Sequence, residues 1–205
     1  MKKVLIFDYD GVIINSLPVV LEILVKVGPK YGLKNVKTKE DLQDIFDNNF
    51  YDGIIQRGVK KTDITKIIDE FKQELKNKQK HIPLFEDIKE VLDELSKKYT
   101  LIVVTSNMRI FFEYFLKKYK ISAFSETLGA EDHVSKVKKI LYVKEKYDAE
   151  KYYYIGDTVG DILEGKKANV ITVATSWGYH NKERLAKSTP DYIFDSPKEL
   201  LKLIN

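Results

Sequence analysis

Hydrophobic positions along this chain follow two rhythms. Val4-Leu5-Ile6-Phe7, Leu101-Ile102-Val103-Val104, Tyr152-Tyr153-Tyr154-Ile155 and Val170-Ile171-Thr172-Val173 are short runs that are apolar on both faces. They have the length and continuity of buried parallel strands. Tyr192-Ile193-Phe194 and the stretch Glu126–Gly129 are shorter candidates. Between the runs, apolar residues recur three and four apart: Ile88, Val91, Leu92 and Leu95; Phe111, Phe112, Phe115, Leu116 and Tyr119; then Val137, Ile140 and Leu141. That spacing lays a stripe along one side of a helix. From about residue 84 onward the alternation predicts an α/β fold with a doubly wound parallel sheet, its right-handed crossovers placing helices on both faces.

Residues 16–81 break the alternation. Leu17, Val20, Leu21, Leu24 and Val25 form one helical stripe, and Ile64, Ile67, Ile68, Phe71 and Leu75 another, with no strand between them. The pattern predicts a core of residues 1–15 and 82–205 interrupted by a helical lobe, residues 16–81. No internal repeat or low-complexity segment is present.

Composition narrows the chemistry. The chain has 205 residues, 43% hydrophobic and 32% charged, as a globular protein does. With no cysteine, a disulfide framework, a thiolate zinc site, an iron–sulfur cluster and a catalytic thiol are all excluded. The three histidines, at 81, 133 and 180, are too scattered to suggest an imidazole-built centre, so any metal is expected to be hard and held by oxygen. Arginine occurs only at 57, 109 and 184, and the net charge is +4, a balance that disfavours a nucleic-acid partner. No apolar run approaches the ~18–20 residues of a membrane span. Met1-Lys2-Lys3 leads into an apolar stretch that stops at Asp8, too short for a signal peptide. The expectation is a cytoplasmic protein with neither a membrane nor a nucleic acid as partner, monomeric or homodimeric.

Acidic residues cluster where two strands end. In Asp8-Tyr9-Asp10-Gly11-Val12 the two carboxylates lie two residues apart, on one side of an extended chain and roughly 7 Å from each other. A solvated strand-end turn is the plainer reading, and Val12 excludes a calcium-binding EF-hand loop. Gly156-Asp157-Thr158-Val159-Gly160-Asp161 follows the Tyr152–Ile155 run; by itself, Asp157 could simply cap the next helix. Two acidic pairs at two strand ends together suggest an oxygen-ligand Mg²⁺ site. Gly160 to Lys167 comes one residue short of a P-loop, but Lys167 lacks the hydroxyl that the last position needs. Thr105-Ser106-Asn107 follows a third strand, where a hydroxyl and the amides of a helix starting at Met108 could hold a phosphate oxygen or merely cap that helix. Lys136 is the best-placed lysine, with Lys138 and Lys139 its competitors.

Together these segments resemble the haloacid dehalogenase superfamily of hydrolases, in its phosphoglycolate-phosphatase-like form. Asp8 to Ser16 resembles the family's first motif, Ser106-Asn107 the second, Lys136 the third, and Gly156-Asp157 with Asp161 the fourth; the similarity runs on through Trp177-Gly178-Tyr179 and Pro190-Asp191-Tyr192. Val137 stands where relatives often carry Pro. The resemblance implies a Rossmann-like core with strand order three-two-one-four-five and a helical cap, and a small phosphorylated molecule as substrate. It implies Asp8 as nucleophile, forming an aspartyl-phosphate, and Asp10 as general acid and base. Mg²⁺ would sit among Asp8, the Asp10 backbone carbonyl and Asp157, with Asp161 supporting it directly or through water. Ser106, Asn107 and Lys136 would bind the phosphate. Asp10 argues against a dehalogenase, and Val20, at a position where β-phosphoglucomutases carry a cap-hinge His, argues against a mutase. A nucleotidase or pyrophosphatase would share the core, and a non-catalytic phosphate-binding module is the remaining alternative. Arg57 and the lobe lysines are candidate contacts for the rest of the substrate, against the plainer reading of Arg57 as a surface residue.

Overall fold

The computed structural model describes residues 2–47 and 50–204. The chain divides into two compact units, residues 1–14 with 84–205, and residues 15–83. The first unit carries β1 (Lys3–Phe7), β2 (Thr100–Val104), β3 (Phe124–Leu128), β4 (Lys151–Gly156), β5 (Ile171–Thr175) and β6 (Tyr192–Phe194) in one sheet, ordered β3-β2-β1-β4-β5-β6. Every pairing is parallel. Phe7 pairs with Val103 on one side and Ile155 on the other, so β1, β2 and β4 end level. The order reverses at β1 and β4, and that switch point is where ligands enter open α/β sheets.

Burial on both faces explains why β1 is apolar from Val4 to Phe7. Val4 and Ile6 pack with Ile102, Val104 and Tyr154 against Ile140 and Val143 of helix α7 (Lys136–Lys146). Phe7 and Tyr9 face the other way, edge-on to Phe124 and Phe112 at centroid distances of 5.9 and 5.0 Å. Phe112 belongs to α6 (Arg109–Tyr119). Each large side chain removed from water contributes roughly 1.5–3 kcal/mol. Helices α5 (Ile88–Ser96), α8 (Val159–Lys167) and α9 (Lys182–Ala186) complete the layers.

Three local expectations shift. β5 starts at Ile171 rather than Val170, because α8 closes in a Schellman turn: Asn169 adopts φ +52°, and Val170 N donates to Gly165 O. β3 begins at Phe124, two residues before the expected segment and ending at Leu128. On α7 the buried face is Lys139, Ile140 and Val143, while Leu141 is exposed.

Among its described residues the second unit is helical and contains no strand. It carries α1 (Leu17–Val27), α2 (Lys39–Ile45), α3 (Phe50–Gln56) and α4 (Ile64–Lys78). α1 buries Val20, Ile23, Leu24 and Val27, so the stripe runs one residue off the expected one and Val25 is exposed. Ion pairs Lys26–Glu74, Lys30–Glu70 and Lys78–Glu22 lace α1 and the turn after it to α4. Among the described residues no helix is long and apolar enough to cross a membrane.

Candidate active site

The C-terminal ends of β1 and β4 bring three buried carboxylates together. Asp8 follows β1 directly, its amide extending the ladder to Ile155 O at 2.8 Å. Asp157 follows β4, and Asp161 stands in the first turn of α8. One oxygen from each of Asp8, Asp157 and Asp161 lies within 4.8 Å of the others. Lys136, at the first turn of α7, places Nζ 2.9 Å from Asp8 Oδ2 and 2.7 Å from Asp161 Oδ1.

These carboxylates are not equally supplied with donors. Asp161 is saturated: Oδ2 accepts from Thr158 N at 3.1 Å and Thr158 Oγ1 at 2.6 Å, and Oδ1 accepts from Tyr154 OH at 3.0 Å as well as from Lys136. Thr158 is therefore the N-cap of α8, with Asp161 completing a capping box; the plain capping role considered for Asp157 belongs to its neighbour. Asp157 Oδ2 accepts from Tyr179 N at 2.7 Å, but its Oδ1 is buried without a hydrogen-bond partner. The carboxylate is pressed between backbones: a Cβ on Gly11 would lie 1.9 Å from Asp157 Oδ2, and one on Gly178 would lie 2.4 Å from it. Gly11 also has φ +77°, a conformation that other residues rarely adopt.

The electrostatics reflect this imbalance. Burial pushes the Asp8 carboxyl up to about 7, opposed by Lys136. Burial, with the charges of Asp161 and Asp8, drives Asp157 well above the usual carboxylate range. For Asp161 burial acts in the same direction, but Lys136, Thr158 and Tyr154 overcome it and hold the group below its ordinary value. Lys136 is buried too, yet Asp161 and Asp8 raise it well above a normal lysine. Three carboxylates face one ammonium, and one carboxylate oxygen has no donor. An all-oxygen, underneutralised set of this kind fits a hard divalent cation.

The ends of β2 and β3 are arranged differently. Ser106 is exposed at the turn after β2. Asn107 donates from Nδ2 to Asp10 Oδ2 at 3.1 Å, its own amide bonds Thr105 Oγ1 at 3.0 Å, and its Oδ1 accepts from Met108 N. The structure thus joins Asn107 to Asp10, a contact not anticipated for a residue expected to bind phosphate. Asp10 itself is half-buried, and its carboxylate stands outside the three-carboxylate cluster. α6 starts at Arg109 with Met108 as its N-cap, and the Arg109 amide donates to the Glu131 carboxylate. That N-terminus, expected to face a phosphate, already has a carboxylate on it. Arg109 in turn pairs with Asp132 at 2.6 Å.

Of the competing lysines, Lys138 is exposed and Lys139 is buried, donating to the carbonyls of Thr105 and Gly129. Gly160 to Lys167 lies within α8 rather than in a phosphate-binding loop. Arg57 is taken up inside its own unit, with Nη2 2.9 Å from Asp44 Oδ2 and Nη1 donating to Asn35 O at 2.6 Å. It is neither a spare anion contact nor a free surface charge. The sequence reading missed Tyr154, Thr158 and His180, which shape the cluster: His180 is fully buried, its amide bonds Asp157 O, and its Nδ1 accepts from Val159 N at 3.0 Å. Within its apolar run Tyr154 reads only as strand core, because hydropathy carries no signal for its hydroxyl.

Comparison with known proteins adds an independent line. The sequence profile of the haloacid dehalogenase-like hydrolases matches residues 5–175. A phosphoglycolate phosphatase of Synechococcus elongatus is 24% identical, over 98% of this chain and 97% of its own. A pyrophosphatase, PpaX, of Bacillus mycoides is 27% identical, over 98% and 95%. Among solved structures, a haloacid dehalogenase-like hydrolase from Streptococcus pneumoniae superposes with a TM-score of 0.83 at 22% identity, over 100% of this chain and 99% of that one. That last likeness is one of fold.

Proposed function

The chain belongs to the haloacid dehalogenase-like hydrolases and is a phosphatase, and from that premise we propose that it is a Mg²⁺-dependent phosphomonoesterase acting on a small phosphorylated metabolite through an aspartyl-phosphate at Asp8. One observation carries the reading: a buried cluster of Asp8, Asp157 and Asp161 beside a single lysine, with Asp157 Oδ1 lacking any donor. Asp8 and Asp157 would hold the cation, with Asp10 contributing through its backbone carbonyl and Asp161 supporting it directly or through water. When bound, the cation supplies the positive charge that lets a carboxylate and a phosphate dianion approach each other.

The remaining work falls to the side chains. An Asp8 oxygen attacks phosphorus as the bond to the leaving oxygen breaks, and Asp10 delivers its proton to that oxygen. Asn107 orients the Asp10 carboxyl for the transfer. Water then attacks the acyl phosphate, giving its proton to Asp10, and inorganic phosphate leaves with Asp8 restored. Lys136 favours the ionised form of Asp8 and, with Ser106, offers donors to the phosphate oxygens. The helical unit is read as the family's cap, selecting the leaving group.

Phosphate release from phosphoglycolate, sugar phosphates, nucleotides and pyrophosphate, with and without Mg²⁺, tests the proposal. Mg²⁺-dependent turnover of a monoester is the expected result, and no turnover of any substrate would refute it. The PpaX relative supports pyrophosphate as the second reading.

A further inference from the structure

α7 presents two lysines one turn apart to the same end of the sheet, and only Lys136 has been given work. Lys139 is 2% exposed, and its ammonium donates to Thr105 O and, at 2.9 Å, to Gly129 O. Those carbonyls lie just past the ends of β2 and β3. Thr105 precedes Ser106; on the other side of Ser106, Asn107 O accepts from Ala130 N at 2.9 Å, next to Gly129. The carbonyls of both residues flanking Ser106 are therefore held, that of Thr105 by Lys139 and that of Asn107 by a loop that Lys139 also grips.

We propose that Lys139 is a positioning residue for phosphate capture, tying the ends of β2 and β3 so that Ser106 keeps the geometry that binds the transferring phosphate and Asn107 the one that holds Asp10. This rests on the phosphatase reading above. Packing alone does not explain the residue, since the neighbouring buried positions on that face are Ile140 and Val143, and an apolar side chain would fill the place without bringing a charge indoors. Burial, reinforced by the charge of Lys136, lowers its pKa to about 8, so the fold retains a cation against a real cost. Lys144 on the same helix provides the contrast. It donates to Ala168 O at 3.0 Å and Asn169 O at 2.9 Å, closing the C-terminal end of α8, which is the opposite end from Asp161.

Inorganic phosphate is titrated calorimetrically into the Mg²⁺-loaded protein as wild type, Lys139→Met, Lys139→Gln and Lys144→Met, with KM and kcat for p-nitrophenyl phosphate and Kd for Mg²⁺ measured alongside. Losing one hydrogen bond to the charged phosphate when the loop shifts weakens binding by about tenfold or more. Lys139→Met is expected to raise phosphate Kd and KM by that factor while Mg²⁺ Kd stays at the wild-type value. Lys139→Gln, which keeps a donor and serves if the methionine variant does not fold, should fall between. Lys144→Met should lower Tm and leave phosphate Kd unchanged. Wild-type phosphate affinity in a folded Lys139 variant, or an equal loss in Lys144→Met, would overturn the inference. A wild type that binds phosphate but hydrolyses no substrate would remove the phosphatase reading alone, whereas one that binds no phosphate would remove both.

Discussion

The loops after β1 and β4 and the loops after β2 and β3 are made from the same materials, carboxylates and lysines at strand ends, and reach opposite conditions. After β2 and β3, Asp132 meets Arg109 and the Gly129 amide, Glu131 meets the start of α6, and Lys139 meets two carbonyls. After β1 and β4, one ammonium serves three buried carboxylates and Asp157 Oδ1 has no donor. Buried polar groups are ordinarily satisfied, so a buried carboxylate oxygen without a donor, beside two further buried carboxylates, supports the reading that this loop pair leaves a charge for something else to meet. On the proposed function the balanced pair is the frame, and the unbalanced pair is the reactive side.

Four experiments would sharpen or break that contrast. On the proposed mechanism Asp8→Asn removes the attacking oxygen and one of the three clustered carboxylate charges together, so turnover of every substrate should vanish; residual steady-state hydrolysis would move the nucleophile elsewhere. Asp10→Asn keeps the Asn107 side of the site and loses proton transfer, worth ~10²–10⁴-fold in rate. Single-turnover phosphorylation of Asp8 should fall further with an alkyl phosphate than with p-nitrophenyl phosphate, whose leaving group departs unprotonated; equal defects would exclude Asp10 as the acid.

The third experiment compares the starved and saturated carboxylates. Asp157→Asn should weaken Mg²⁺ binding, measured by calorimetry, more than Asp161→Asn, whose expected loss is about 10–100-fold because it acts through Lys136, Thr158 and Tyr154. Equal effects would put both in the same role. The smallest effect concerns pH. The folded, metal-free protein raises Asp8 from 3.8 to about 7 and raises Asp157 in the same direction, so the native state holds protons that the unfolded chain has released. That stabilisation is complete below the unfolded value and is lost as pH rises through about 7. Metal-free protein should therefore melt a few degrees lower at about pH 8 than at about pH 6, and saturating Mg²⁺ should flatten the slope. A metal-free Tm independent of pH across that range would contradict the charge deficit.

Much of this arrangement could be read in advance. Continuous apolar runs located the central strands because a sheet covered on both faces leaves no polar positions, and the two acidic motifs fell at the ends of such runs. What hydropathy could not show was which polar residues face inward. On α7 the buried face is Lys139, Ile140 and Val143, a regular helical spacing, yet counting only apolar residues tilts the stripe toward exposed Leu141. Asn107 reads as a phosphate ligand in sequence because its own segment gives no hint of Asp10, whose contact spans 97 positions. Arg57 reads as a candidate anion contact because its partners Asp44 and Asn35 become visible only once the helices fold.

Gly11 and Gly178 bound the slot that holds Asp157, and the walls of that slot are backbone. Elsewhere in the core an enlarged side chain can be answered by trimming its neighbour, so many pairs of residues trade volume. Here the neighbour is the carboxylate itself, and shortening it would abolish the group that the slot exists to seat. The two glycines and the aspartate are therefore fixed as a set, because a side chain at either glycine would have to displace the carboxylate it crowds.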